Sequence, residues 1–462
     1  MTEAIRKSLR DSKTARWLAL AVVAFTMLTG YFLTDVMAPL KGLLEGHMGW
    51  DSSDFGFFNS AYGWFNVFLL MLIIGGVILD KMGVRFTGLM ATMIMVAGTA
   101  LKYWAVSTHS LDGVVWNFIL FDVKAQVFMA SLGFAIFAVG IEVTGITVSK
   151  IIVKWFKGKE LALAMGLEMA TARLGTALAL STSVPLAKAF GMVSISRPIL
   201  VCLIMLIIGF LSFVVYVFMD KKLDESEAEE EKSEEEAFKI SDIFSIITNK
   251  GWWYIAILCV LFYSAVFPFL KYAADLMVNK FGVDESLAGT IPAMLPFGTI
   301  LLTPFFGSLY DRKGKGATIM IIGAALLIFV HTMFSIPFLN HWLISIVLIL
   351  ILGIGFSLVP SAMWPSVPKI IPERQLGTAY ALIFWVQNWG LMGVPALIGW
   401  VLNKYCITGQ TVRDGLTVNT YDYTFPMLIF TGFGLLAMLF AVLLKMEDKK
   451  KGYGLELPNI TK

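Results

Sequence analysis

The chain has 462 residues, of which 58% are apolar or aromatic and 15% charged, with a net charge of +3. A soluble domain carries about 25% charged residues, so folding in water would leave too little polar surface, whereas twelve membrane helices need roughly 240–300 apolar-rich positions. The chain supplies about 268, which excludes a soluble enzyme, a nucleic-acid binder and a disulfide scaffold, and the small net charge argues against a polyanionic partner.

The first 16 residues are polar and basic and run into an apolar stretch from Trp17. That stretch is too long for a signal peptide and lacks a small-residue cleavage site, so it reads as a retained first helix. Further spans are predicted near 53–79, 86–107, 127–149, 160–187 and 197–219. Residues 220–250 break the pattern with an acidic run, DESEAEEEKSEEE, and an amphipathic stub, FKISDIFSIITNK. Six more spans follow near 251–278, 287–309, 316–338, 343–367, 376–402 and 422–445. The predicted fold is all-α and integral to the membrane, with six-helix bundles over 1–219 and 251–462 joined by a solvated acidic tether. Cys202 and Cys259 fall in apolar runs and Cys406 in a predicted outer loop, with no metal-ligand spacing, and they read as small hydrophobes.

Lys and Arg set the orientation. Even-numbered connections and the termini hold 26 of the 36 basic residues, and odd-numbered connections hold seven. Both termini are therefore expected in the cytoplasm. Lys102, Arg173 and Lys271 fall inside spans.

The sequence repeats itself at half its length. Residues 75–85 read GGVILDKMGVR and residues 307–315 read GSLYDRKGK, and aligning Asp80 with Asp311 gives an offset of 231. Gly76 and Gly307 precede the acid by four residues, Lys81 and Arg312 follow it directly, and Gly83 and Gly314 follow by three. A weaker echo joins KIIVKWFKGKELALAMG from Lys150 to KIIPERQLGTAYALI from Lys369. Two halves of one hand imply a pseudo-twofold axis along the membrane normal, with a substrate site near midplane. In the short loops the glycines would admit a neighbouring helix. Asp80 would accept from the N-terminus of a helix in the other half, and Lys81 and Arg85 would bridge to acids across the interface. Such contacts would gate one end of the cavity.

A charge at the centre of a membrane helix costs at least about 2.5–3.5 kcal/mol, so each needs a reason. Glu142 lies eight residues before Lys150, roughly 12 Å along the helix. Arg173 lies 13 residues after Glu160, roughly 20 Å in. Both are expected to face a common cavity, with Glu168 on another side. Three roles stay open: a structural salt bridge, a zwitterion clamp in which Glu142 takes an ammonium and Arg173 a carboxylate, or proton coupling through Glu142, Glu168 or Asp35. Lys271 and Asp275, four apart, can pair with each other and lie near the outer surface, where an outer-gate or snorkelling role is expected rather than substrate contact. Asn59, Tyr62 and Asn66 stripe one side of span two, and Trp385, Gln387 and Asn388 sit mid-span in span eleven; each group lines the cavity or glues helices.

The G-x-x-x-D-[KR]-x-G-x-[RK] loop resembles that of the major facilitator superfamily over essentially the whole chain, although Lys315 sits one residue earlier than Arg85 requires. The resemblance implies two six-helix bundles, a central cavity and alternating access by rocking. The stretch WPSVPKIIPERQLGTAYALIFWVQNWGL from Trp364, with Glu142 and Arg173, looks like the lysosomal dipeptide transporter branch of that superfamily. That branch implies dipeptide uniport, with Glu142 on the amino terminus, Arg173 on the carboxylate, and Gln387 and Asn388 beside the cavity. No N-x-[ST] acceptor lies in an outer loop, Asn459 being on the cytoplasmic tail. A bacterial inner membrane is therefore expected rather than a lysosome.

The expected function is secondary transport of small zwitterionic peptides, by a monomeric protein without cofactor or metal, the partners being the lipid bilayer, the substrate and, under proton coupling, a proton. Two rivals stand beside it. A proton-coupled organic-anion carrier would want more basic residues at midplane than Arg173 alone. A non-transporting receptor or assembly subunit would have no use for two gating loops. No nucleophile–base pair or phosphate loop points to an enzyme.

Overall fold

The computed structural model describes residues 11–118, 122–156, 159–226 and 240–459. Most of the acidic run, and the basic residues before Asp11, lie outside the described residues. In chain order the elements are α1 (Lys13–Asp35), α2 (Lys41–Met48), α3 (Ser52–Phe68), α4 (Met71–Ser107), β1 (Val115–Asn117), β2 (Asp122–Lys124), α5 (Ala125–Phe156), α6 (Leu161–Lys188) and α7 (Ser196–Ser226). There follow α8 (Ile240–Ile247), α9 (Lys250–Phe281), α10 (Glu285–Ala288), α11 (Thr290–Lys313), α12 (Gly316–Ser335), α13 (Trp342–Ile370), α14 (Leu376–Tyr405), β3 (Ile407–Arg413), β4 (Leu416–Tyr421) and α15 (Thr424–Lys451).

Eleven helical stretches among the described residues are long and apolar enough to cross a membrane. The predicted second crossing is split. α3 stops after 17 residues because Leu70 adopts a left-handed backbone (φ 53), and the crossing resumes at Met71. It ends at Gly83, whose φ of 75 turns the chain into the third crossing. Gly314, its repeat partner, has φ 69 and separates α11 from α12. A left-handed backbone suits glycine, so the repeat preserves the residue that reverses the chain.

The helices form two groups, α1 to α7 and α9 to α15, packed mainly within themselves and joined where α3 meets α14 and α6 meets α11. α5 and α9 are the most buried crossings, while α7 and α15 leave much apolar surface outward, as lipid-facing helices do. β1–β2 and β3–β4 are antiparallel hairpins in odd-numbered connections, where the sequence reading had placed only loops.

The linker boundary is also revised. α7 runs on to Ser226, and Asp220 is a fully buried part of it rather than the start of a tether. Its carboxylate accepts from Lys154 Nζ at 2.8 Å, from Trp155 Nε1 at 3.2 Å and from Tyr216 Oη at 3.0 Å. A buried charge needs such partners, and here they come from α5 and α7.

Candidate functional site

The two groups close on each other at the end away from the chain termini. Asp35 Oδ1 of α1 pairs with Lys271 Nζ of α9 at 2.6 Å, and Lys41 Nζ of α2 pairs with Asp275 Oδ2 of α9 at 3.0 Å. Lys188 of α6 reaches Glu285 at 2.8 Å and Asp414 of the β3–β4 turn at 2.7 Å. Lys271 and Asp275, which their spacing allows to pair with each other, each find an opposite charge on the other group instead. Close backbone packing reinforces the closure: a Cβ on Gly56 of α3 would lie 2.7 Å from the Pro395 carbonyl oxygen of α14. Small residues allow such an approach between membrane helices.

At the terminal end the groups stand apart. A cleft of about 340 Å³ opens there, lined from one side by Leu72, Gly76 and Asp80 of α4 and from the other by Arg374, Gly377 and Phe384. Nothing approaches Gly76 or Gly307 within 4 Å of where a Cβ would sit, so the helix contact expected there is not made in this conformation. The gating charges bond within their own group instead. Asp80 accepts from Lys150 Nζ at 3.0 Å, and Arg85 pairs with Asp224 at 3.0 Å and Asp220 at 3.7 Å. Lys81 and Arg312 are exposed. Asp311 Oδ1 accepts from Asn459 Nδ2 at 2.8 Å, a partner from the C-terminal segment.

Between these ends lie the ionisable residues of the crossings. Glu142 of α5 is half-buried, and its Oε1 accepts from Tyr62 Oη of α3 at 2.7 Å. Arg173 of α6 is half-buried and makes no ion pair within 4.0 Å among the described residues. Its guanidinium carbon lies 5.1 Å from the centre of the Phe356 ring and 5.7 Å from that of Phe267. Glu168 is buried and within electrostatic reach of Arg173, so its separate helix side does not remove it from Arg173's surroundings. Tyr31 of α1 feels Arg173, Glu142, Glu168 and Asp35 together. A Glu142–Arg173 salt bridge is absent.

The remaining candidates divide. Tyr62 joins Glu142, whereas Asn59 and Asn388 turn their amide nitrogens back onto the carbonyls of Phe55 and Phe384, at 2.8 and 3.0 Å in their own helices. Trp385 Nε1 donates to the Val67 carbonyl at 3.0 Å across the groups, and Gln387 Oε1 accepts from Cys259 at 3.5 Å. These two act as contacts between helices. Asn66 and Asn388 each keep a buried side-chain oxygen without a protein partner.

The second group answers the charges of the first with aromatic rings. Trp364 Nε1 donates to Tyr263 Oη at 3.2 Å, Tyr263 stacks on Phe267 at 5.3 Å, and Phe267 meets Phe356 edge-on at 5.5 Å. Trp364 also packs on Phe384 of the cleft wall at 5.0 Å. Sequence reasoning missed Phe267, Phe356 and Tyr263, because nothing distinguishes them among the 36 Phe and 13 Tyr of the chain.

The family model for the major facilitator superfamily matches residues 20–395 and, in a second match, 273–456. The chain belongs to this superfamily. Among curated relatives, the lysosomal dipeptide transporter MFSD1 of Danio rerio is 26% identical over 461 residues, 97% of this chain and 90% of its own. The Homo sapiens protein of that name is 27% identical over 399 residues, 84% and 80% of the two chains. Among solved structures, a bacterial homologue of the human lysosomal transporter Spinster, in an inward-facing and occupied conformation, superposes with a TM-score of 0.70 at 12% identity, covering 95% of this chain and 98% of that one. The nucleoside transporter NupG gives 0.64 at 14% identity, covering 92% and 98%. Both show the major facilitator fold, and with the family they make the chain a multi-pass membrane transporter rather than an enzyme.

Proposed function

We propose that the chain carries small zwitterionic peptides, dipeptides foremost, by rocking of the bundle of α1 to α7 against the bundle of α9 to α15. The observation that carries this reading is the state of Arg173. It is a permanent cation in a membrane crossing with no ion-pair partner within 4.0 Å among the described residues, while Glu142 of α5 is held by a tyrosine hydroxyl. A ligand bringing its own carboxylate and ammonium would satisfy both. The names of the MFSD1 relatives support the same substrate class.

The positive loops make the terminal end cytoplasmic, so the cleft opens inward, and a cell inner membrane is the proposed location. On the return stroke Gly76 and Gly307 would admit neighbouring helices, and Asp80 would reach the first turn of α14 across the cleft that both now line.

Purified protein screened by thermal shift should be stabilised more by free dipeptides than by acetylated or amidated ones. Equal stabilisation by end-blocked dipeptides would sink the clamp. Glu142→Gln should weaken dipeptide binding by about ten- to a hundredfold, the loss of a charged hydrogen bond. The unpaired guanidinium also suits a proton-coupled organic-anion carrier. That alternative requires Glu142→Gln to leave anion binding intact, and it requires flux to follow a pH gradient in proteoliposomes.

A further inference from the structure

We propose that Phe267 and Phe356 are positioning residues for Arg173, holding its guanidinium from the opposite bundle in readiness for the carboxylate of a peptide. The proposal rests on the reading of Arg173 as the carboxylate-binding group.

An arginine in a membrane crossing is stabilised by a counterion, by carbonyls or by aromatic faces. Among the described residues Arg173 has no ion pair, and the rings of Phe356 and Phe267 lie 5.1 and 5.7 Å from its guanidinium carbon. The choice of partner matters for the chemistry. A resident carboxylate would occupy the N–H fork that a substrate carboxylate needs. An aromatic ring takes the flat side of a guanidinium and leaves the fork free for bidentate binding.

The rings are themselves fixed. Phe356 is 2% exposed, stacks on Phe262 with ring planes 3° apart, and meets Tyr263 and Phe267 edge-on. Tyr263 is in turn held by the Trp364 indole. Arg173 is on α6 and the two rings are on α9 and α13, so the contact crosses the interface on which the bundles rock. An arginine side chain has many rotamers, and binding a ligand at its fork restricts them. Restraining it before binding removes part of that restriction from the binding step.

The test uses the full chain, purified or in proteoliposomes, with alanyl-alanine and its C-terminal amide as ligands. Phe356→Leu and Phe267→Leu should each weaken alanyl-alanine binding by about fivefold. KM should rise with the maximal transport rate retained, binding of the amide should not change, and Phe356→Trp should restore affinity. Should Phe356→Leu fail to fold, Phe267→Leu decides. Unchanged alanyl-alanine affinity in a folded Leu variant, or equal weakening of free dipeptide and amide, overturns the positioning role. If the wild type binds the amide as well as the free dipeptide, the carboxylate role of Arg173 falls, and the proposal with it. If the wild type discriminates and the Leu variants do not respond, only the positioning role is lost.

Discussion

The chemistry of this carrier comes down to a few side chains whose partners differ in kind. Glu142 is oriented by a neutral donor, Tyr62, at 2.7 Å, which in the proposed clamp leaves its negative charge for a ligand. Tyr62→Phe should therefore weaken binding of free dipeptides by about fivefold, one ordinary hydrogen bond, without abolishing it. Isothermal titration with free and N-acetylated dipeptides checks this, since the acetylated ligand should not respond. Glu142 and Arg173 were legible as candidates because an ionisable residue in a 20-residue apolar run stands out by its desolvation cost alone. Their partners were not. Tyr62 is one of 13 tyrosines and Phe356 one of 36 phenylalanines, and only the crossing of α3 with α5, and of α6 with the second bundle, selects them.

At the scale of elements, two features carry predictions. α3 and α14 approach closely at Gly56 and at Gly63, where a Cβ would lie 2.7 Å from the Pro395 carbonyl oxygen and 2.5 Å from Met392 Cβ. Gly56→Leu should force the helices apart and disfavour the conformation closed at the far end. Labelling of nearby engineered cysteines by a membrane-impermeant reagent from the outside should increase. The second feature is the C-terminal segment, which the sequence marked only as a tail. Glu456 accepts from the Thr318 backbone N–H at 2.9 Å and from its hydroxyl at 2.8 Å, capping α12, while Lys369 Nζ holds the carbonyls of Gly454 and Leu457 at 3.0 Å. A side-chain cap of this kind contributes about 1 kcal/mol. Glu456→Ala should lower the unfolding midpoint while dipeptide affinity stays unchanged. Helix existence was legible throughout because a 20-residue apolar run has few other fates in lipid. The break at Leu69–Leu70, the hairpins and the extension of α7 to Ser226 were not, since each depends on what packs against it.

For the whole molecule, the question is what holds one end shut. The Asp35–Lys271 and Lys41–Asp275 pairs join the bundles with opposite polarity, so each bundle contributes one acid and one base. Asp35→Asn removes one acid and leaves the Lys271 ammonium with the Thr34 carbonyl but no counterion at a largely dry interface, a loss on the scale of about 1.5–3 kcal/mol. The population should shift by about tenfold or more toward the conformation open at the far end. Distances between spin labels on the terminal ends of α4 and α14 would shorten accordingly. The double variant Asp35→Lys with Lys271→Asp should restore the original distribution. A label distance unmoved by Asp35→Asn would show that helix packing alone sets the closure.

The sequence by itself determined the membrane environment, the all-helical class, the internal repeat with its paired glycines, and the charges that lipid cannot hide. These follow from composition, period and spacing, which are local properties of the chain. Tertiary structure decided the partners. Lys271 and Asp275 sit four residues apart, a spacing that allows a mutual pair on one helix face, yet both turn to acids and bases of the other bundle. A helix offers such a side chain a single local partner. Packing two bundles together offers several more, and at a dry interface the better-desolvated opposite charge wins. The 15% of charged residues therefore announced a membrane protein, and only the fold showed that Arg173 makes no ion pair within 4.0 Å among the described residues.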